Sequence, residues 1–338
     1  MTPRRARAQT PARLAALVGA AGTVGAALAV GSGACGHAPA EGHALRAHEL
    51  NMQGVAALRA GNLAMAETAF GSALHEAEAI DDRAARVMAL VNLGHVDEEL
   101  GVLGRAVGRY RDAAALARAL GDVALESSAI AGLAHARSLM GEHDGARAAA
   151  RKALDLAAAT RARAAVASRR AGLAFVLWRA GSCHEAAEAL AGATDRVPAD
   201  AEAVRASVAY VGGLVALGRG RLDEAARALQ QALALDRARE AALDTGDDLR
   251  ALARVALARG DRAAAADFYE RALRLHAALG ASRRTLVDLE TLAPLLREAG
   301  QGARAARLEA EAHGLRAEMA AEAAGVCETA PPRGCAKE

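Results

Sequence analysis

Arg86–Ala114 reads RVMALVNLGHVDEELGVLGRAVGRYRDAA, and its marks are Leu93-Gly94, Gly101, Ala106, Tyr110 and Ala113. A small residue, a glycine seven on, an alanine five later, an aromatic four after that and an alanine three further describe two helices around a turn. The same code returns along the chain with turn glycines at Gly61, Gly101, Gly141, Gly181, Gly220, Gly260 and Gly300. The period is 40 residues, with one interval of 39. Self-similarity at a fixed period predicts a repeat array in which each unit packs on its neighbours.

If each unit starts fourteen residues before its turn glycine, three further positions are small in every copy. The eighth is Gly54, Gly94, Ala134, Ala174, Gly213, Ala253 and Ala293. The twentieth is Ala66, Ala106, Ala146, Ala186, Ala225, Ala265 and Ala305, and the twenty-seventh is Ala73, Ala113, Ala153, Ala193, Ala232, Ala272 and Ala312. Antiparallel helices approach closely only where side chains are small, so these positions mark helix contacts. The glycines end the first helix of each unit because glycine accepts a left-handed backbone cheaply. Leu63, Leu103 and Leu222 follow their glycines by two residues and plug the turn. Cys183 holds that place in unit four and reads as a buried structural thiol.

Composition agrees. The chain has 338 residues, 53% hydrophobic but only 2% aromatic, with seven prolines. Alanine-rich helices making thin, close contacts follow from this, and the fold class is all-α. The formal charge is +2. Without Arg4, Arg5, Arg7 and Arg13 the 42 basic residues become 38, against 40 acidic ones. Arginine interleaved with acids is a solvated surface, so no nucleic-acid partner is expected.

These spacings resemble the tetratricopeptide repeat family from about Leu45 to Gly325. The period exceeds that family's usual length of about 34 residues. The large aromatic early in the first helix is absent, and position 24 is aromatic only at Phe70, Tyr110 and Tyr269. Leu116–Asp122 and Leu275–Gly280 look like the long-helix subclass found in signalling adaptors. The resemblance implies an α-solenoid of about seven units, a right-handed superhelix whose first helices line a concave groove.

The first residues carry a different message. Met1–Arg13 is basic, Leu14–Val30 is uncharged and apolar, and Ser32-Gly33-Ala34 precedes Cys35. This order is an export leader over residues 1–34. It resembles a bacterial lipoprotein leader, which implies lipidation at Cys35, although Ser32 stands where a large aliphatic residue is usual. Simple cleavage after Ala34 or Ala40 is the alternative. A transmembrane helix competes, but the run is glycine- and alanine-rich and would insert weakly. Arg4-Arg5 lacks the apolar residues of a twin-arginine signal. Residues 35–45 read as a flexible tether, 46–325 as the solenoid and 326–338 as a disordered tail. The expected location is a membrane-anchored lipoprotein facing the periplasm, at the outer membrane.

No catalytic constellation appears. His184-Glu185 and His75-Glu76 lack the second histidine of a zincin helix, so no metal is expected. Gly31, Gly33 and Gly36 spell G-x-G-x-x-G inside the leader, a chance match. No cofactor, no small-molecule substrate and no enzyme activity are expected. Cys327 and Cys335 flank turn formers, which leaves open a disulfide loop in an oxidising compartment or two exposed thiols.

Function is expected in the groove. Positions 2, 5, 9 and 12 of each first helix share a face, with position 6 at its edge. They supply Asn51, Asn92, His95, Glu98, His135, Phe175, Trp178, Tyr210, Leu214, Arg250 and Arg254. The resemblance implies that groove asparagines such as Asn92 hold the main chain of an extended peptide. Phe175, Trp178 and Tyr210 concentrate aromatics in a chain nearly devoid of them, and aromatics with arginine favour binding. Packing of Phe175 and Trp178 between helices is the competing reading. Two features break the array. Ala193–Glu202, with Asp195, Pro198 and Asp200, is a candidate hinge, and Pro294 should kink the first helix of unit seven. Together these predict a protein or peptide partner held by a scaffold or assembly factor of the envelope. The alternative is a signalling adaptor that regulates a partner enzyme or receptor.

Overall fold

The computed structural model describes residues 38–193 and 197–329. Within them the chain forms fourteen helices and no strand. The first member of each unit is α1 (Ala38–Arg59), α3 (Arg83–Leu100), α5 (Val123–Leu139), α7 (Arg163–Arg179), α9 (Glu202–Gly218), α11 (Ala242–Ala258) or α13 (Ser282–Glu298). The second is α2 (Leu63–Ala79), α4 (Leu103–Leu120), α6 (His143–Ala159), α8 (Cys183–Leu190), α10 (Leu222–Ala238), α12 (Arg262–Ala278) or α14 (Gly302–Thr329). The architecture is an all-α solenoid of seven helix pairs.

Each turn is made as the glycines require. All seven have φ between 74° and 86°. The residue after each glycine donates its N–H five residues back, as in Asn62 to the Ala57 carbonyl at 2.8 Å and Ser182 to Leu177 at 2.9 Å. This satisfies carbonyls that the helix end would otherwise leave unpaired. Asn62, Asp82, Asp122 and Asp261 then cap the next helix through their side chains. Between units the left-handed residue is Gly121 or Gly280 at two junctions but Asp81, Arg161 or Glu240 at three.

The repeated small positions are the closest contacts. All seven alanines at position 20 are 0% exposed, and those at position 27 are also buried. Position 8 faces position 24 of the same unit. A Cβ on Gly54 would lie 2.5 Å from the Phe70 ring, one on Gly94 2.7 Å from Tyr110, and one on Gly213 2.5 Å from Leu229. Glycine is therefore the matching partner of a large side chain in the second helix.

Odd-numbered helices also pack on one another, α3 on α5, α5 on α7 and α7 on α9, whereas the even-numbered ones chiefly meet their sequence neighbours. The odd helices thus form the inner layer of a curved array. The curvature brings the ends together: α13 packs on α3. Arg284 Nε lies 2.8 Å from Glu99 Oε2, and Arg283 Nε donates to the Glu98 carbonyl at 3.0 Å. Leu243 and Ala281 join an apolar cluster with Ala57, Leu58, Leu63 and Phe70. Units one and two therefore sit on units six and seven.

Cys183 is half-buried rather than buried; its Sγ rests beside Gly218, where a Cβ would come within 2.6 Å. In the candidate hinge region, α8 stops after 8 residues where most helices have 17, and α7 packs directly on α9. Helix α13 continues through Pro294 to Glu298. Helix α1 begins at Ala38, inside the stretch read as tether, and α14 runs past Gly325 to Thr329. Cys35 and Cys335 lie outside the described residues, as does the side chain of Cys327. No helix among the described residues is long and apolar enough to cross a membrane.

Candidate functional site

The side chains expected on the groove face do form one continuous run along the inner layer. It begins with Asn92 of α3, whose Nδ2 donates to Asn51 Oδ1 of α1 at 2.8 Å. One amide hydrogen of Asn92 is thus used within the protein. One turn further along α3, His95 lies 3.3 Å from Glu98 Oε2, and His135 of α5 lies 3.1 Å from Glu98 Oε1. Burial pushes the Glu98 carboxyl up. The charges and hydrogen bonds of His135 and His95 outweigh this and hold it well below the usual carboxylate range. The Tyr110 hydroxyl reaches in from α4 to His95 Nδ1 at 3.0 Å. It passes between Gly94 and Gly132, at either of which a Cβ would strike its ring.

Beyond His135 the run becomes aromatic. The His135 and Phe175 ring centroids are 5.2 Å apart, and those of Phe175 and Trp178 5.7 Å. The Arg254 guanidinium of α11 lies 4.9 Å from the Trp178 ring centroid, a cation–π contact. Phe175, Trp178 and Tyr210 are each half-buried and pack against the neighbouring core. The interhelical and inner-face readings of these aromatics therefore meet: each packs against the core and each keeps part of its surface exposed. Leu214 is buried in the wall beneath them.

Arg250 is differently employed. It pairs with Asp247 and lies 3.4 Å from Asp288 Oδ1, within a lattice that includes Arg284, Asp247 and the buried His276–Asp288 pair at 2.5 Å. Neighbouring Asp247 and Asp288 offset the burial of Arg250 and hold its guanidinium firmly protonated. These charges fasten α11, α12 and α13 to each other and, through Arg284, to α3.

Arg179, four residues after Phe175 on α7, lies next to this run as well. Its Nε donates to the Ser138 carbonyl at the end of α5 at 3.1 Å. Partial burial and then the facing cations Arg283 and Arg254 lower the guanidinium's affinity for its proton. Position 13 is four residues after Phe175 and lies between positions 2 and 6 around the helix, so periodicity does reach it; the stripe as read simply stops at position 12. Helices α7, α9, α11 and α13 thus bring Arg179, Tyr210, Arg254 and Arg283 into one electrostatic neighbourhood. Among the described residues no group of three or more metal-ligating side chains occurs. Two surface depressions, one beside Leu120, Val123 and Thr160 and one over Ile130 and Leu133, are lined by residues outside this run.

No family model matches the chain, and no curated protein matches it. Solved structures do. A Rap protein complexed with Competence and Sporulation Factor aligns with a TM-score of 0.63 at 14% identity, over 82% of this chain and 76% of that one. The apo form of the quorum sensor NprR from B. thuringiensis aligns with a TM-score of 0.51 at 11% identity, over 82% and 87%. A tetratricopeptide repeat protein from Parabacteroides merdae aligns over 78% and 98% with a TM-score of 0.39 at 15% identity. At such identities the first two likenesses speak for architecture alone, and the architecture is an all-α solenoid of helical repeats.

Proposed function

We propose that this chain is a non-catalytic binding protein that holds a peptide or an extended segment of a protein partner against its inner face. The observation that carries the reading is the continuous inner run from Asn51 through Asn92, His95, His135, Phe175 and Trp178 to Arg254. Its polar end offers amide groups for a main chain, and its aromatic end offers partly exposed rings of the kind that anchor binding. In this reading the chain is an assembly factor or scaffold of the cell envelope, exported by its leader and lipidated at Cys35. The leader order and the small residues before Cys35 support that part. Cys35→Ser then moves the protein from the membrane to the soluble fraction; continued pelleting with membranes argues against lipidation.

Cross-linking capture from native membranes, comparing wild type with a Trp178→Ala, Tyr210→Ala, Arg254→Ala triple variant, tests the binding face. Loss of a specific partner in the variant supports it. An identical partner set moves the site to the outer face or the tail. A regulatory adaptor is the second reading, favoured by the contact of α13 on α3. In this second reading a ligand would act by favouring either the form whose ends touch or one in which they part.

A further inference from the structure

Resting on the reading above, we infer that the inner face selects an acidic peptide segment and seats one of its Asp or Glu side chains between Arg179 and Arg254. The argument begins from charge pairing. Arg250 and Arg284 on the inner layer have carboxylates, at Asp247, Asp288 and Glu99. Arg283 leans on the Glu98 carbonyl and has Glu99 Oε2 at 3.9 Å. Arg179 and Arg254 have no carboxylate within 4.0 Å among the described residues, although both sit in the same neighbourhood and both are solvent-exposed.

Their contacts among the described residues leave capacity to spare. Arg179 spends its Nε on a carbonyl, and Arg254 lies over Trp178. A guanidinium carries five N–H donors in a planar fork suited to a carboxylate. Two exposed forks on α7 and α11, close enough for Arg254 to lower Arg179's hold on its proton and with no carboxylate within 4.0 Å of either among the described residues, are complementary to a ligand anion. Phe175, Trp178 and Tyr210 alongside them provide apolar surface for the residues that flank it. The Arg283–Glu98 and Arg284–Glu99 contacts close the ends of the array on each other, which favours a slender occupant over a folded domain.

Trp178 is the chain's single tryptophan, so intrinsic fluorescence reports directly on this site. The experiment screens two random heptapeptide libraries, one with both ends capped and one with a free C-terminus. Targets are the wild-type protein and an Arg179→Gln, Arg254→Gln double variant, with folding of both checked by circular dichroism. The expected result is enrichment of Asp and Glu in capped peptides recovered by wild type and not by the double variant. A synthetic capped hit then shifts Trp178 emission. Its affinity falls about tenfold or more when its acids become Asn or Gln, the scale of a lost charge-assisted hydrogen bond.

Capped hits that shift Trp178 emission without acid enrichment overturn the acidic assignment and leave peptide binding standing. Recovery only from the free-C-terminus library overturns the side-chain assignment in favour of a chain-end carboxylate. If neither library yields a ligand that shifts Trp178 emission, this inference and the reading beneath it both fall.

Discussion

Arg284 at the start of α13 lies 2.8 Å from the carboxylate of Glu99 at the end of α3, a partner 185 residues earlier in the chain. Both groups are largely buried, and Arg284 has a second carboxylate, Asp247, at 3.2 Å. Those two anions offset the desolvation of Arg284 and hold it protonated. Breaking a buried pair from one side leaves an uncompensated charge and costs about 3–5 kcal/mol. Arg284→Ala should therefore lower unfolding stability in urea on that scale. The double-mutant cycle with Glu99→Ala should return a coupling of about 0.5–3 kcal/mol. A coupling indistinguishable from zero would mean that the ends touch without holding each other.

The turn glycines make a sharper claim, because at Gly181 an added Cβ meets nothing within 4 Å. Any cost there is backbone conformation alone. Gly181→Val should destabilise by at least about 1–2 kcal/mol, since its φ of 81° is hostile to a β-branched residue. The reverse holds at Arg161, an exposed residue with φ 58° at a junction where Gly121 and Gly280 serve elsewhere. Arg161→Gly should stabilise by roughly 0.5–1 kcal/mol once the greater freedom of glycine in the unfolded chain is set against the relieved strain. Thermal melts of the two variants should move in opposite directions.

Glycines inside helices divide by what lies opposite. Gly132→Ala should cost about 1–3 kcal/mol, because the new methyl drives into the Tyr110 ring. Gly172 in α7 is exposed and has nothing within 4 Å of a built Cβ. Gly172→Ala should gain up to about 1 kcal/mol from helix propensity. Equal effects at the two sites would refute the packing of Tyr110 between α3 and α5.

Asp248 is fully buried, and neither of its oxygens meets an N–H or O–H donor. Burial, followed by the adjacent carboxylate of Asp236, pushes its carboxyl up to about 10, and Asp236 itself rises to about 6, again through burial first. Asp244 and Asp247 add negative charge around Asp248, and Arg239 counters it beside Asp236 and Asp244. Two facing carboxyls share a hydrogen bond only while one keeps its proton. The folded state thus binds a proton that the unfolded chain releases near its ordinary value of 3.8. Stability should then decline as pH rises from about 4 toward 10. Asp248→Asn should be more stable than wild type at neutral pH and should flatten that decline, measured by urea unfolding across the pH range. A steeper decline in the variant would contradict the shared proton.

The inner face was partly legible before the structure. Helical spacing picked out Asn51, Asn92, His95, His135, Phe175, Trp178 and Arg254, which do lie in one run. It also picked out Arg250, which pairs with Asp247 three residues earlier on α11 and meets Asp288 where α11 and α13 come together. Arg179 escaped although it follows Phe175 by four residues and shares its side of the helix, because the stripe was followed only as far as position 12. Glu99 and Arg284 escaped for a different reason: no local pattern links residues 185 apart.

What the sequence by itself determined is local. The glycine at every unit's turn, the alanines at positions 20 and 27 and the glycine or alanine at position 8 fix the helix pairs, because backbone sign and close approach are decided within one unit. What only the tertiary structure decided is how the seven units end up relative to one another. That depends on the sum of small rotations from unit to unit, and it settles which cations meet a carboxylate. Arg284 finds Glu99 because the array closes on itself, and Arg179 and Arg254 are left without a carboxylate partner among the described residues.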